Sequence, residues 1–375
     1  MNQRQRRLFS MIIMLFMHLK MQTPPPLPYL LDEQNFAFLL LVTQYDFYRR
    51  KLRMPLPFYN FSIRSRILEN ENQDLLVIKD VYGTLISRPY DFWRISGETV
   101  QSFEELFVLI LPRVGGLRNG QRNVNLRNRL LLTLVWLRQY PTYPILSLIF
   151  GICNTLVGSI VNTMWLILWE ACSPLIVWPD ANSWQQKIGK WSEMPNVLAS
   201  IDGTSHEILI PSTEPQEEFY SGHRKYHCFH TQKSKIIIDN EKNICYIHGG
   251  FLGHDNDAFA YQQIKPIGPG LELDFPNNCF ILADSIYPNN IPLVTPYKSV
   301  EILRQPQQEH RRRRKFNCMH RKRRVYVEHV IKELKTFKVI GSLYRHPRWE
   351  MASIVELCAA LSKRRADNIG ENYPN

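Results

Sequence analysis

Three carboxylates in apolar company constrain this chain more than any other feature: Asp202 in VLASIDGT, Asp284 in NCFILADSIYP and Glu328 in RRVYVEHVIKELK. The first two close apolar runs that read as buried strands, and the third sits on an apolar-periodic helix. A carboxylate at the end of a core strand is costly to bury without a positive partner, and a divalent cation is the strongest such partner. The acids lie far apart in sequence, which fits strands gathered by a sheet rather than a contiguous metal-binding loop. Hard oxygen donors, with no His or Cys at ligand spacing, favour Mg²⁺ or Mn²⁺ over zinc. Two such ions about 3.5–4 Å apart activate a water or a 3′-hydroxyl and stabilise the leaving oxygen of a phosphodiester, which is nuclease or strand-transfer chemistry.

Five strands are expected: VLASID, KSKIIID (233–239), NICYIHGG (243–250), CFILAD and IPLVTPY (291–297). Asn240-Glu241-Lys242-Asn243 is a polar stretch suited to a hairpin turn, so the first three strands should form a meander. On the Glu328 helix, Val327, Val330, Ile331, Leu334 and Phe337 make an apolar stripe while Glu328, Lys332 and Lys335 run up its edge. Glu333 is turned about 140° away from Glu328 and is the weaker acid candidate.

At these residues the chain resembles the DDE transposases of the PIF/Harbinger group and the nucleases derived from them. The resemblance rests on IDGTSHEI (201–208), FYSGHRKYHCFHTQ (219–232), GGFLGHDNDAF (249–259), ADSIYP (283–288) and RRVYVEHVIKELK (323–335), and covers roughly residues 90–365. It implies an α/β catalytic domain with an RNase H-like mixed sheet flanked by helices, preceded by an all-α helix-turn-helix domain. The implied organisation is an N-terminal region with a Pro-rich linker (1–89), a helical domain (90–180), the endonuclease domain (190–365) and a polar tail (366–375). Catalysis and a two-metal site holding Mg²⁺ or Mn²⁺ fall to Asp202, Asp284 and Glu328. DNA, as transposon ends and target, is the implied partner; a Myb-like DNA-binding protein commonly accompanies such transposases, and a homo-oligomer is expected.

Asp255, in the FLGHDNDAF motif, is either an accessory acid near the metals or, with Asn256, a cap for the following helix; Asp257 reads as a surface residue. His223, His227 and His230 make a poor zinc site, having no cysteine at finger-like spacing. The resemblance points Arg224, Lys225 and His227 toward DNA or the active site, the alternative being a packed edge with solvated basic groups.

With 46 Lys and Arg against 34 Asp and Glu, the formal charge of +12 suits a polyanionic partner. The excess concentrates in HRRRRKFNCMHRKRR (310–324), directly before the Glu328 helix. Arg311, Arg312, Arg313, Arg314, Lys315, Arg321 and Lys322, joined by Lys332 and Lys335, are therefore expected to supply salt-dependent phosphate contacts without sequence information. The two clusters also suit a nuclear localisation signal if the source is eukaryotic, and otherwise a cytoplasmic protein is expected; a solvated loop is the alternative.

Upstream, residues 124–170 read as three helices with helix-turn-helix spacing: one through Leu130 to Leu137, a short one at 144–149, a turn at Gly151, and a third started by Asn154 or Thr155. The third offers Asn154, Thr155, Ser159, Asn162 and Thr163 but no Arg or Lys, so DNA contact and a helical bundle packed on the catalytic core both remain open. Arg127, Arg129 and Arg138 are candidates for backbone contacts. Ser102 should cap the helix FEELFVLIL, with Glu105 at the capping-box position.

The N-terminal LFSMIIMLFM is too short to span a bilayer, no cleavage site follows it, and no membrane partner is expected. Seven cysteines without a CxxC pair fit a reducing, intracellular compartment. The chain is expected to be a metal-dependent DNA endonuclease or transposase. The alternative is a domesticated, catalytically silent DNA- or partner-binding protein, to which Ile286, standing where many relatives have glycine, lends some weight; RNA cleavage on the same fold is a further option.

Overall fold

The computed structural model describes residues 79–114, 124–209, 216–220 and 230–369. Expectations for the N-terminal region through residue 78, for His223, Arg224, Lys225 and His227, and for the tail beyond 369 lie outside the described residues.

Among the described residues, six of the helices that precede the sheet build the upstream bundle: α1 (Val81–Leu85), α2 (Pro89–Ser96), α3 (Val100–Val114), α4 (Leu126–Gln139), α5 (Tyr143–Phe150) and α6 (Asn154–Cys172). The central one is α4, whose LLLTLVWL run is buried on every side. It starts where the Asn125 side chain accepts the Asn128 N–H at 2.8 Å and stops at Tyr140, which has φ 51° and is followed by a proline. Gly151, with φ 66°, makes the turn into α6, a backbone position that a side chain would strain. The helix at Ser102 begins earlier than expected. Thr99 accepts the Ser102 N–H at 3.1 Å, so Ser102 lies inside α3, where its hydroxyl serves Glu98 and Arg364 instead.

The sheet has five strands in the order β3-β2-β1-β6-β7. β1 (Val197–Ile208), β2 (His230–Asp239) and β3 (Ile244–Leu252) form the expected antiparallel meander. Its hairpin is closed by the Asp239 carboxylate, which accepts the N–H groups of Glu241 (2.9 Å) and Asn243 (2.8 Å). A separate two-stranded pair, β4 (Ile267–Gly268) and β5 (Leu273–Asp274), intervenes. β6 (Phe280–Leu282) and β7 (Leu293–Val294) then run parallel to β1. Three later helices matter for the site: α7 (Asp257–Gln262), α8 (Gln307–Leu334) and α9 (Met351–Ile369).

Alternate residues of β2 face opposite sides, as strand geometry demands. Ile236 and Ile238 belong to a core shared with α2 to α6, α8 and α9, whereas Ile237 packs with Trp184, Phe275 and Tyr287 on the other face. The upstream helices and one face of the sheet therefore share a single apolar interior. Polar ties reinforce it: Arg364 of α9 donates to Glu98 at 3.0 Å, and Trp169 Nε1 of α6 donates to Glu356 at 3.0 Å. Among the described residues, Asn154–Leu175 is the one stretch long and apolar enough to cross a bilayer, but half of it is buried in this interior, as befits a core helix.

The basic run is not a segment preceding the Glu328 helix; it is the first half of that helix. α8 runs unbroken for 28 residues. No proline or glycine interrupts it, Arg and Lys are good helix formers, and Arg313 pairs back to Glu309 at 3.0 Å. Val327, Val330 and Leu334 anchor its C-terminal half in the core, each apolar side chain contributing about 1.5–3 kcal/mol on full burial.

Candidate active site

β1 and β6 are neighbours in parallel register, with Ser200 opposite Leu282. Two residues further along stand Asp202 and Asp284, but not at two strand ends: β1 continues to Ile208, so Asp202, expected to close its strand, stays within the sheet opposite Ile236 of β2, whereas Asp284 lies just past the end of β6. Both adopt the same local arrangement: Asp202 Oδ1 accepts the Gly203 N–H at 2.8 Å, and Asp284 Oδ1 accepts the Ser285 N–H at 2.7 Å. α8 packs across β1, and His320 Nε2, bonded to the Val294 carbonyl at 3.1 Å, pins the helix to β7. That placement brings Glu328 to Asp202 through a mediator. Arg324 Nη1 donates to Asp202 Oδ2 at 3.0 Å, and Nη2 donates to Glu328 Oε1 one helical turn on.

Burial pushes the Asp202 carboxyl above the usual carboxylate range, and Arg324 and the Gly203 N–H pull it part of the way back. Asp202 is only 19% exposed while Glu328 is 48% exposed, so the two acids meet Arg324 from the inside and the outside of the site.

Behind Asp202 lies a second ionic cluster. Lys235 stands opposite Gly203 on β2 and has no solvent exposure. Its ammonium bonds the Asp257 carboxylate and donates to Tyr287 Oη at 2.8 Å. Gly203 makes the approach possible, since a Cβ there would lie 2.6 Å from Asp257 Oδ1 and 2.8 Å from Lys235 Nζ. Burial, aided by the negative charges of Asp257 and Asp202, pushes the Tyr287 hydroxyl far up, so it remains a neutral hydrogen-bonding group. Burial draws Lys235 down while Asp257 and Asp202 draw it up. His206, next along β1, is fully buried between the Ile340 carbonyl (3.0 Å) and Ser234 Oγ (3.1 Å); burial lowers it to about 4, so it is a neutral packing residue.

Asp257 is thus more than a surface residue: as the first residue of α7, with its side chain 29% exposed, it balances a buried lysine. The Asp255 carboxylate accepts the Leu252 N–H at 3.0 Å, and Asn256 rather than Asp255 caps α7 through the Phe259 N–H at 2.8 Å. The basic residues of α8 divide by face. Arg314, Arg321 and Lys332 are exposed and fall within about 40° of Glu328 around the helix. Arg311 and Lys315 are exposed on other faces. Arg312 and Arg313 pair with Glu309, Arg313 also lying over Tyr297, while Lys322 sits 3.9 Å from Glu193. Lys335 ends the helix half-buried. The upstream arginines expected to meet DNA are engaged internally: Arg127 with Glu104 at 2.8 Å, Arg129 with the Val124 carbonyl at 2.9 Å, and Arg138 with Thr336, burial lowering Arg138 to about 10.

Sequence reasoning missed Arg324, Lys235 and Tyr287. Arg324 was hidden within an undifferentiated basic run, although its spacing of four before Glu328 is an ion-pair signal on a helix. Lys235 ends the polar half of β2, directly before Ile236, and Tyr287 follows Asp284 by three residues.

An antiparallel meander extended by two parallel strands, with one acid within the first strand, one just past the fourth and a third on the packed helix, has the layout of an RNase H-like fold. Residues 201–363 match the family model described as DDE superfamily endonuclease. The match spans every residue of this site and supports a transposase-like nuclease acting on DNA, from a superfamily that generally uses divalent metals. No curated protein and no solved structure matches the chain.

The donor chemistry suits a hard divalent cation, since Asp202, Asp284 and Glu328 offer only carboxylate oxygens. Among the described residues no three acids converge closely enough to hold an ion. The positive charge between Asp202 and Glu328 is supplied by Arg324, whose guanidinium stands in for a metal cation there.

Proposed function

We propose that this protein is a divalent-metal-dependent DDE nuclease of the Harbinger type that nicks DNA at element ends and joins the 3′-hydroxyl to target DNA. The observation that carries the reading is the placement of Asp202 and Asp284 two residues beyond the paired Ser200 and Leu282 of adjacent parallel strands, with Glu328 tied to Asp202 through Arg324. Asp202, Asp284 and Glu328 would hold the metal, Mg²⁺ or Mn²⁺. When bound, two such ions supply Lewis acidity at the scissile phosphoryl group and lower the pKa of the attacking hydroxyl or water. The chain's own contribution is positional. Gly203 and Ser285 N–H groups fix the two aspartates, His320 holds α8 against the sheet, and Arg314, Arg321 and Lys332 offer a line of cations for the DNA backbone leading to Glu328. In this reading helices α4 to α6 would serve as the helix-turn-helix, with the exposed Asn154, Ser159 and Asn162 as its uncharged contact residues. A Myb-like partner would provide the sequence reading that these residues lack, and nuclear localisation and self-association belong to the same proposal.

A second reading, a silent DNA-binding derivative, draws on one observation: an arginine already bridges two of the three acids. The discriminating experiment is nicking of supercoiled plasmid in Mg²⁺, Mn²⁺ or EDTA by the native protein and by Asp284→Asn. Metal-dependent cleavage that disappears in the variant supports the nuclease. Cleavage that survives the substitution, or is indifferent to EDTA, refutes the assignment of Asp284. A folded protein that binds DNA and never cleaves it, even with element ends and partner supplied, favours the silent derivative.

A further inference from the structure

The salt bridge joining Asp202, Arg324 and Glu328 has the form of an occupied cation site. Its occupant cannot leave by deprotonation, because arginine keeps its charge at any accessible pH. Its backbone cannot leave either, because α8 is fixed on one side of Arg324 by His320 and on the other by Val327, both buried. Freeing both carboxylates at once, with the helix backbone in place, takes an outward swing of the Arg324 side chain. The path is open on the Glu328 side, which is half exposed, and it leads onto the helix face that carries Arg321, Arg314 and Lys332. A guanidinium displaced to that face meets the phosphates those residues would hold, and phosphate accepts the same two-pronged hydrogen bonding as the carboxylates it left.

We propose that Arg324 is a displaceable counter-cation that keeps the Asp202 and Glu328 carboxylates closed to divalent metal until the backbone of bound DNA draws it away. The proposal rests on the metal-dependent reading of the site and adds an order to its assembly. Metal and DNA then bind with positive coupling, each favouring the state in which Arg324 has left the acids. Arg324 is a positioning residue: in the closed state it holds Asp202 and Glu328 together, and in the open state it becomes a phosphate ligand.

The test is Mn²⁺ binding to the full chain without DNA, followed by electron paramagnetic resonance and calorimetry, for the native protein, Arg324→Gln and Arg324→Lys. Removing the competing charge should tighten Mn²⁺ binding in Arg324→Gln on the order of tenfold, the usual scale of such coupling. Arg324→Lys, which keeps a charge but loses the planar fork, should fall between the two. Asp284→Asn placed in the Arg324→Gln background should weaken the gained affinity. Equal or weaker Mn²⁺ binding by an Arg324→Gln protein that melts like the native one overturns the gate and leaves the nuclease reading standing. If Arg324→Gln does not fold, Arg324→Lys decides alone, with native-like affinity counting against the proposal. Failure of all three folded proteins to bind Mn²⁺ overturns the metal reading itself.

Discussion

Asp257→Ala should unfold this protein more readily than Lys235→Met, although the two residues form one ion pair. The asymmetry follows from exposure: the Lys235 side chain is 0% exposed and the Asp257 side chain 29%. Without Asp257 the ammonium keeps its direct contacts to Tyr287, through the hydroxyl at 2.8 Å and the ring at 4.7 Å, and the charge of Asp202 without a hydrogen bond to it. Removing one partner of a buried pair costs about 3–5 kcal/mol. The lysine has a way to limit that loss by entering the fold neutral, which at pH 7 costs about 4.6 kcal/mol for an ordinary pKa of about 10.4 at about 1.36 kcal/mol per unit. Asp257→Ala should therefore lose about 3–4.6 kcal/mol at pH 7. Once the native lysine is neutral, the unfolded chain binds the extra proton, so stability rises with pH and the deficit shrinks by about 1.4 kcal/mol per unit toward pH 9. In Lys235→Met, Asp257 remains hydrated and the main loss is the bond to Tyr287, about 1–2 kcal/mol, without that pH slope. Urea denaturation at pH 7, 8 and 9, followed by tryptophan fluorescence, reads all three proteins. A Lys235→Met deficit equal to that of Asp257→Ala, or an Asp257→Ala deficit that ignores pH, would refute the view that a buried charge governs this corner of the site.

Two further outcomes follow from the long helix and from the turn before α9. Replacing Arg314, Arg321 and Lys332 together by alanine should lower the slope of log K against log salt for duplex DNA by about 0.9 per lost phosphate contact, whereas Arg312→Ala with Lys322→Ala, off that face and paired to glutamates, should barely move it; equal effects would show that only total charge matters. Burial raises Glu350 from 4.5 to about 7, so the native state holds a proton that the unfolded state has released. Native stability should fall relative to Glu350→Gln as pH rises from about 4.5 through about 7, with little difference below that window, and parallel pH profiles in thermal melts would contradict it.

The sheet was legible where an apolar run ends with a local reason to stop: Asp239 closes its own hairpin, and Asp284 takes the next N–H just past β6; β1 instead runs on through Asp202 to Ile208, because β2 pairs with it along its polar half as well. The C-terminal half of α8 was legible from its apolar stripe. Its N-terminal half was not, because a run of like charges has no apolar periodicity, and what props it is pairing to Glu309 and Glu193 and the stacking of Arg313 on Tyr297. Asp257 read as no more than a surface residue because its partner is a lysine on β2, 22 residues earlier, and no local pattern announces a non-local ion pair. Ser102 misread as a cap because a threonine three residues earlier does that task. The acids of the site stand out in the sequence; the guanidinium between two of them does not, since only the crossing of α8 over β1 singles it out from its neighbours.

The sharing of one interior by α2 to α6 and α9 also sets a schedule for biosynthesis. Trp169 and Glu98 must wait for Glu356 and Arg364. With roughly 180 residues between α6 and α9 and synthesis at about 5–20 residues per second, the wait is on the order of ten to forty seconds. Through that interval the nascent chain carries an apolar helical surface without its cover, and a ribosome-bound chaperone is the natural guardian of that surface until the closing helix emerges.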